Sequence, residues 1–259
     1  MTMQHRVDVF FCRIPQLPIE ESVIQHQRKT LSNQEVRAAD RLVDTLDQHR
    51  FILSHALLRQ ILALRLGLLP EEILIERTES GKPYLVPDQT LQPHDLNFSL
   101  SHSQGFIAMA LGDQLALGID VEDGQVPESI DMAQLCFHPH EAAWIADLPS
   151  DQRLCAFLQL WTLKESYLKA TGGSLRLPIE EISFGLEASP QIKAVSVGKT
   201  RRQNSESWRF FSYGLSDQCR AALCVGLPTG HALEIEVQDI GYDGLPTQGA
   251  TEWLGFSVA

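Results

Sequence analysis

Gly118-Ile119-Asp120-Val121-Glu122-Asp123 reads as a β-strand, and a strand turns alternate side chains to one face, so Asp120 and Glu122 point the same way. Further on, Trp161-Thr162-Leu163-Lys164-Glu165-Ser166-Tyr167-Leu168-Lys169 reads as a helix, where Glu165 and Lys169 are four apart and share a face. Three carboxylates and a lysine that can converge suit a magnesium ion carrying a phosphorylated substrate. These two stretches therefore define the expected site.

The rest of the chain sets the frame for that site. At 259 residues it can bury a substantial core, as one large domain or two modest ones. No apolar run approaches the roughly 20 residues needed to cross a bilayer, and the start lacks the long apolar core of a signal peptide. Cysteines 12, 136, 155, 219 and 224 form an odd, scattered set without a CxxC pair, which fits a reduced, cytoplasmic setting. The net charge of −12 is unevenly distributed. Between Lys82 and Arg153 there is no lysine or arginine, while eleven Asp or Glu residues occur there. Broad binding of nucleic acid calls for the opposite, a continuous basic stripe. A small anionic ligand held by a few arginines and a metal does not.

Local signals predict an opening strand at Val7–Ile14, a helix capped by Ser32 and running to about Leu46, and a long helix over His49–Leu66 ended by Gly67 and Pro70. Ile73–Arg77 reads as a short strand before the turn Glu79-Ser80-Gly81-Lys82-Pro83. Phe106–Leu111, Gly112-Asp113 and Leu115–Val121 read as a hairpin that delivers Asp120 and Glu122 on its second arm. Gly124–Asp131 reads as a polar link between halves. Helices are expected at Pro139–Asp147 and Asp151–Thr171, then strands at Trp208–Tyr213, Arg220–Val225 and Ala232–Val237. The expected division is 1–123 as one lobe, 124–237 as a second and 238–259 as a loosely tied tail.

The halves also look like copies of one unit. Ser101–Gly112 aligns without gaps to Leu215–Gly226, with Gln, Ala and Gly identical and a shared small-apolar pattern. The expectation is an α+β fold of two similar lobes in pseudo-two-fold arrangement, with the ligand in the cleft between them.

Taken together, the motifs resemble the two-lobed class of 4′-phosphopantetheinyl transferases. The resemblance rests on Gly81-Lys82-Pro83, Asn97-Phe98-Ser99-Leu100-Ser101-His102-Ser103, the Gly118–Glu122 strand and the Trp161–Lys169 helix, in that order. A weaker fifth piece is Phe137-His138-Pro139-His140-Glu141. The resemblance implies that a serine of an apo acyl, peptidyl or aryl carrier protein attacks the β-phosphate of coenzyme A and releases 3′,5′-ADP. It implies Asp120, Glu122 and Glu165 as magnesium ligands, Glu165 as the base and Lys169 beside the departing phosphate. For coenzyme A it implies Arg50, Arg77, Lys82, Ser101, His102, Asp120 and Lys169. Some relatives carry lysines before the first long helix; here Gln34–Arg41 leaves Arg37 or Arg41 as substitutes. A cytoplasmic monomer follows as the default, with no nucleic-acid or membrane partner.

Two other classes compete. Carboxylates with a lysine also serve metal-dependent phosphodiesterases and nucleases, although the cation-free centre argues against nucleic acid. A catalytically silent carrier-binding module would not need the full acidic set. Cys136, His138, His140 and Glu141 invite a zinc reading, but Pro139 with Glu141 better suits a helix start.

Overall fold

The computed structural model describes residues 3–15, 19–87, 95–124, 129–172, 179, 182–186, 192–197, 206–247 and 256–258. The first half runs β1 (Gln4–Arg13), α1 (Glu21–Arg28), α2 (Asn33–Ala39), α3 (Thr45–Leu66), a short pair of strands β2 (Ile75–Arg77) and β3 (Pro83–Leu85), then β4 (Leu96–His102) and β5 (Phe106–Asp113). The second half repeats that order. It runs β6 (Ala116–Asp123), α4 (Ser129–Cys136), α5 (Pro139–Asp147), α6 (Ser150–Thr171), the pair β7 (Ile182–Leu186) and β8 (Ile192–Val197), then β9 (Glu206–Ser216) and β10 (Cys219–Pro228). Strands β11 (Ala232–Ile240) and β12 (Phe256–Val258) follow. The sequence match between Ser101–Gly112 and Leu215–Gly226 falls on the turns and second arms of the equivalent β4–β5 and β9–β10 hairpins.

Two four-stranded sheets result, ordered β11-β1-β5-β4 and β12-β9-β10-β6. They bury one face of each against the other, with Val7, Val9, Ala108 and Ala110 meeting Leu117, Ile119, Val121 and Leu223. Each outer face carries one 22-residue helix. α3 lies over Ile107 and Met109, and α6 over Phe210, Ala222 and Cys224. Both helices end at a glycine in the left-handed region, Gly67 and Gly172. This is the α+β, two-lobed architecture.

Three local expectations change. Asp40 ends α2 early, and Asp44 caps α3 through its side chain, which accepts from the Leu46 and Asp47 amides; Asp and Thr favour a cap over a helix interior. The predicted 106–121 hairpin is not a hairpin, because β5 pairs with β1 and β4 whereas β6 pairs with β10. At Gln114 (φ 58°) the chain crosses from one sheet to the other. Burying the apolar faces of β5 and β6 against each other is what separates them into stacked sheets. Finally, β11 leaves the second half and pairs in parallel with β1 from Gln4↔Ala232 to Cys12↔Ile240. The expected loose tail is tied in through Ile240, the Ile240–Pro246 bridge, the bond from Gln27 to the Tyr242 carbonyl, and β12 on β9. No described helix is long and apolar enough to cross a membrane.

Candidate active site

Period-2 alternation on β6 turns Leu117, Ile119 and Val121 into the inter-sheet core and leaves Gly118, Asp120 and Glu122 on the side of α6. Gly118 sets the approach of that helix. A Cβ there would sit 1.9 Å from the Ser166 carbonyl oxygen and 2.4 Å from the Ala170 amide nitrogen. Only a glycine lets α6 lie this close, which brings Glu165 and Lys169 beside Asp120. The neighbours of Glu165 in sequence, Lys164 and Ser166, are fully buried. Lys164 Nζ pairs with Glu141 Oε2 at 2.7 Å, donates to the Ile179 and Ile182 carbonyls, and lies over the Phe137 ring. Glu141 also accepts from the Phe184 and His138 amides, the latter as part of the box that starts α5. Motif neighbours 164 and 165 thus part company, one to the core and one to the site.

The serines of β4 and the residue just after its end fasten the other wall. Ser99 and Ser101 of β4 and Ser103 beyond it alternate along the chain and all reach β6. The Ile119 amide donates to Ser99 Oγ at 3.0 Å, Ser101 Oγ donates to Asp120 Oδ1 at 2.9 Å, and Ser103 Oγ donates to Asp123 Oδ2 at 3.0 Å. Two strands from different sheets are thereby joined by side chains instead of a ladder.

Asp120 is the centre of this arrangement. It is 3% exposed, and its Oδ1 receives Lys169 Nζ at 2.6 Å as well as Ser101. Lys169 Nζ also donates to Ser101 Oγ at 2.8 Å. Asp120 Oδ2 is buried with no hydrogen-bond partner among the described residues. Burial, then the charge of Asp120, pushes the Glu122 carboxyl up to about 7, with Asp123 and Glu165 adding to the rise and Lys169 opposing it. Glu165 is raised by burial and Asp120 as well. Among the described residues no three His, Cys, Asp or Glu side chains already gather as a metal cluster. The lysine supplies the countercharge at Asp120. An orphaned carboxylate oxygen beside two carboxyls that resist ionising is nonetheless a donor set that fits a hard divalent cation.

Ser101, His102 and Lys169 open on a cavity of about 690 Å³ that runs between β4, α2, α3 and β2, with Arg77 on its wall. His102 is depressed by burial first, then by His55 and Lys169. Of the other expected ligand residues, Arg77 shares this cavity while Lys82 and Arg50 stand apart from it. Arg77 Nη1 donates to the Gly81 carbonyl at 2.9 Å, bracing the turn. Lys82 does not face this cavity. Its Nζ donates to the carbonyls of Ala170 at 2.9 Å and Leu117 at 3.3 Å, and burial lowers its pKa, so it staples the turn to the end of α6. Arg50 lines a neighbouring cavity, paired with Asp47 at 2.7 Å and with the Gln104 carbonyl at 3.3 Å. Arg37 and Arg41 line a third depression. Sequence reasoning missed Glu35 and His55, which line the main cavity; the capping box at Ser32 and Glu35 and the four-residue spacing of His55 and Arg59 were their only signals.

Comparison with known proteins agrees with this geometry. A model of the 4′-phosphopantetheinyl transferase superfamily matches residues 116–224, and one described as 4′-phosphopantetheinyl transferase, N-terminal, matches residues 18–113. The two matches meet where the chain crosses between sheets. The chain is 32% identical over 219 residues to the 4′-phosphopantetheinyl transferase HetI of Nostoc sp., covering 84% of this chain and 87% of that one. It is 30% identical over 174 residues to the 4′-phosphopantetheinyl transferase gsp of Aneurinibacillus migulanus, covering 67% and 69%. Against the 4′-phosphopantetheinyl transferase Sfp of Bacillus subtilis the identity is 31% over 146 residues, 56% and 62% of the two chains. The chain belongs to the 4′-phosphopantetheinyl transferase superfamily. It is an enzyme of that class, with coenzyme A as its substrate.

Proposed function

We propose that this enzyme moves 4′-phosphopantetheine from coenzyme A to a serine of an apo acyl, peptidyl or aryl carrier protein, and that Asp120, Glu122 and Glu165 hold the magnesium ion it uses. The observation that carries this reading is the buried, partly unpartnered carboxylate of Asp120, bonded to Ser101 and Lys169 on the wall of a cleft large enough for a nucleotide. When bound, magnesium supplies positive charge to the pyrophosphate. Glu165 takes the proton of the carrier serine, and its raised pKa makes it a better acceptor near neutral pH than an ordinary carboxylate. A bond forms from the serine Oγ to the β-phosphorus as the bond to the bridging oxygen of 3′,5′-ADP breaks. Lys169, held by Asp120 and Ser101, faces the departing phosphate. Ser101 and His102 contribute to the phosphate wall. One chain carries both lobes, so we take the working unit to be a cytoplasmic monomer.

The test is intact-mass measurement of an apo carrier incubated with the enzyme, coenzyme A and magnesium, beside a chelator control. A phosphopantetheine mass gain that disappears with chelator supports the reading. No gain across acyl, peptidyl and aryl carriers defeats it.

A further inference from the structure

The first turn of α5 brings two imidazoles together, and neither of them lines the cleft. Pro139 and Glu141 do open this helix, and the turn they open is what joins the rings. His138 and His140 are both exposed, with ring centroids 4.5 Å apart and Nδ1 atoms 2.5 Å apart. His138 is the N-cap, and its Nδ1 accepts from the His140 amide at 3.4 Å. That nitrogen therefore carries a lone pair. His140 Nε2 donates to the Phe184 carbonyl at 3.1 Å. A carbonyl can only accept, so Nε2 holds the ring hydrogen, and a neutral imidazole has only one. The Nδ1 of His140 is thus bare as well.

Two bare nitrogens facing each other repel unless positive charge lies between them. The surroundings suit a metal ion in that place. An imidazole whose outer N–H is held by a backbone carbonyl is the arrangement that orients a metal-bound histidine. His140 is also braced from behind. Phe184 gives its carbonyl to His140 and its amide to Glu141 Oε1 at 2.8 Å, and Glu141 in turn is locked to the buried Lys164. Paired imidazoles select a borderline ion such as zinc, whereas the oxygen set around Asp120 suits hard magnesium. Zinc at about 2.0–2.1 Å from each nitrogen in a tetrahedral shell holds them roughly 3.3 Å apart. Rotation of the exposed His138 ring supplies that opening. Among the described residues no third His, Cys, Asp or Glu gathers with the pair, so solvent completes the shell.

We propose that His138 and His140 form a solvent-open zinc site through their Nδ1 atoms, one that clamps the start of α5 to β7 and is independent of the transfer chemistry. The experiment is calorimetric titration of the full chain with zinc chloride in excess magnesium, for wild type, His138→Asn, His140→Gln and Asp120→Asn. Thermal melting with and without zinc and nitrogen NMR of the histidine rings run alongside. His138→Asn keeps a good N-cap and His140→Gln keeps a donor for the Phe184 carbonyl, so neither removes the local structure. Wild type is expected to bind about one zinc per chain, to melt higher with it, and to shift the Nδ1 resonances of both rings. Each histidine variant should bind about tenfold more weakly or worse and lose the rise in melting temperature, while Asp120→Asn binds like wild type. Wild type that binds no zinc, or whose two rings ignore it, overturns the site and leaves a shared proton between them. Binding that is lost in Asp120→Asn yet kept in both histidine variants puts the ion at the carboxylates and overturns the site as well. If a histidine variant fails to fold, the wild-type ring spectrum decides by itself.

Discussion

Helix α6 carries two lysine–carboxylate pairs, Lys164 with Glu141 and Lys169 with Asp120, of nearly the same length at 2.7 and 2.6 Å. The first is sealed, with neither side chain exposed. The second opens to the cleft, with the Lys169 side chain 32% exposed and one oxygen of Asp120 lacking a partner among the described residues. In the sealed pair the backbone carbonyls of Ile179 and Ile182 and the amides of Phe184 and His138 satisfy the remaining polar atoms, so it orders the packing of α5, α6 and β7. In the open pair the satisfaction is incomplete among the described residues, which is the arrangement the proposed site requires. Like pairs thus serve opposite ends because burial and hydrogen-bond completion differ, not because the residues do.

The largest expected effect breaks the sealed pair. Lys164→Ala leaves Glu141 buried and uncompensated and should cost about 3–5 kcal/mol of folding stability in denaturant titrations. The double change Lys164→Met with Glu141→Leu should recover most of it, whereas a double variant as unstable as the single would contradict this account. Next comes the open pair. Asp120→Asn should lower the transfer rate by about 10²–10³-fold while the melting temperature holds, since crowding among carboxylates is relieved. Lys169→Ala should reduce kcat more than it raises KM for coenzyme A; a pure binding defect would reject its placement beside the leaving phosphate.

Gly118→Ala tests the contact that holds the two pairs at their separation. Its methyl group meets the α6 backbone, so a loss of about 1–3 kcal/mol and a drop in activity should appear together. An unaltered melting curve would show that the helix yields without cost. The smallest effect concerns Glu35 with Arg59, a pair of intermediate burial. The Glu35 pKa is lowered in the folded state to about 2, so its stabilisation is complete above the ordinary carboxylate range and is lost as pH falls from about 4.5 toward 2. Allowing for solvent screening, roughly 1 kcal/mol is at stake, and Glu35→Gln should remove that part of the acid dependence.

Much of the site could be read because two short periodicities place its residues. Asp120 and Glu122 follow the strand period, and Glu165 and Lys169 the helical one, so their sharing of faces needs no partner element. The surroundings of Lys82 were hidden for the complementary reason. A lysine in a Gly-Lys-Pro turn looks available to a ligand, and its capture by carbonyls at 117 and 170 depends on elements distant in sequence. The Lys164–Glu141 pair and the Glu35–His55–Arg59 set were hidden likewise, since nothing local links position 141 to 164 or 35 to 55. The false hairpin at 106–121 arose from a rule about neighbours in sequence, which lost to the burial of both apolar faces between stacked sheets.

Residue order along the chain was thus enough to establish the α+β class, the repeated halves, the acidic strand and the Glu165–Lys169 helix, because each depends on period, caps or composition over a few residues. Folding in three dimensions settled which sheet β6 joins, how β11 crosses back to β1, and which lysine opens on the cleft and which is sealed in the core. Those outcomes turn on burial and on hydrogen bonds between residues tens to hundreds of positions apart, where no local pattern reaches.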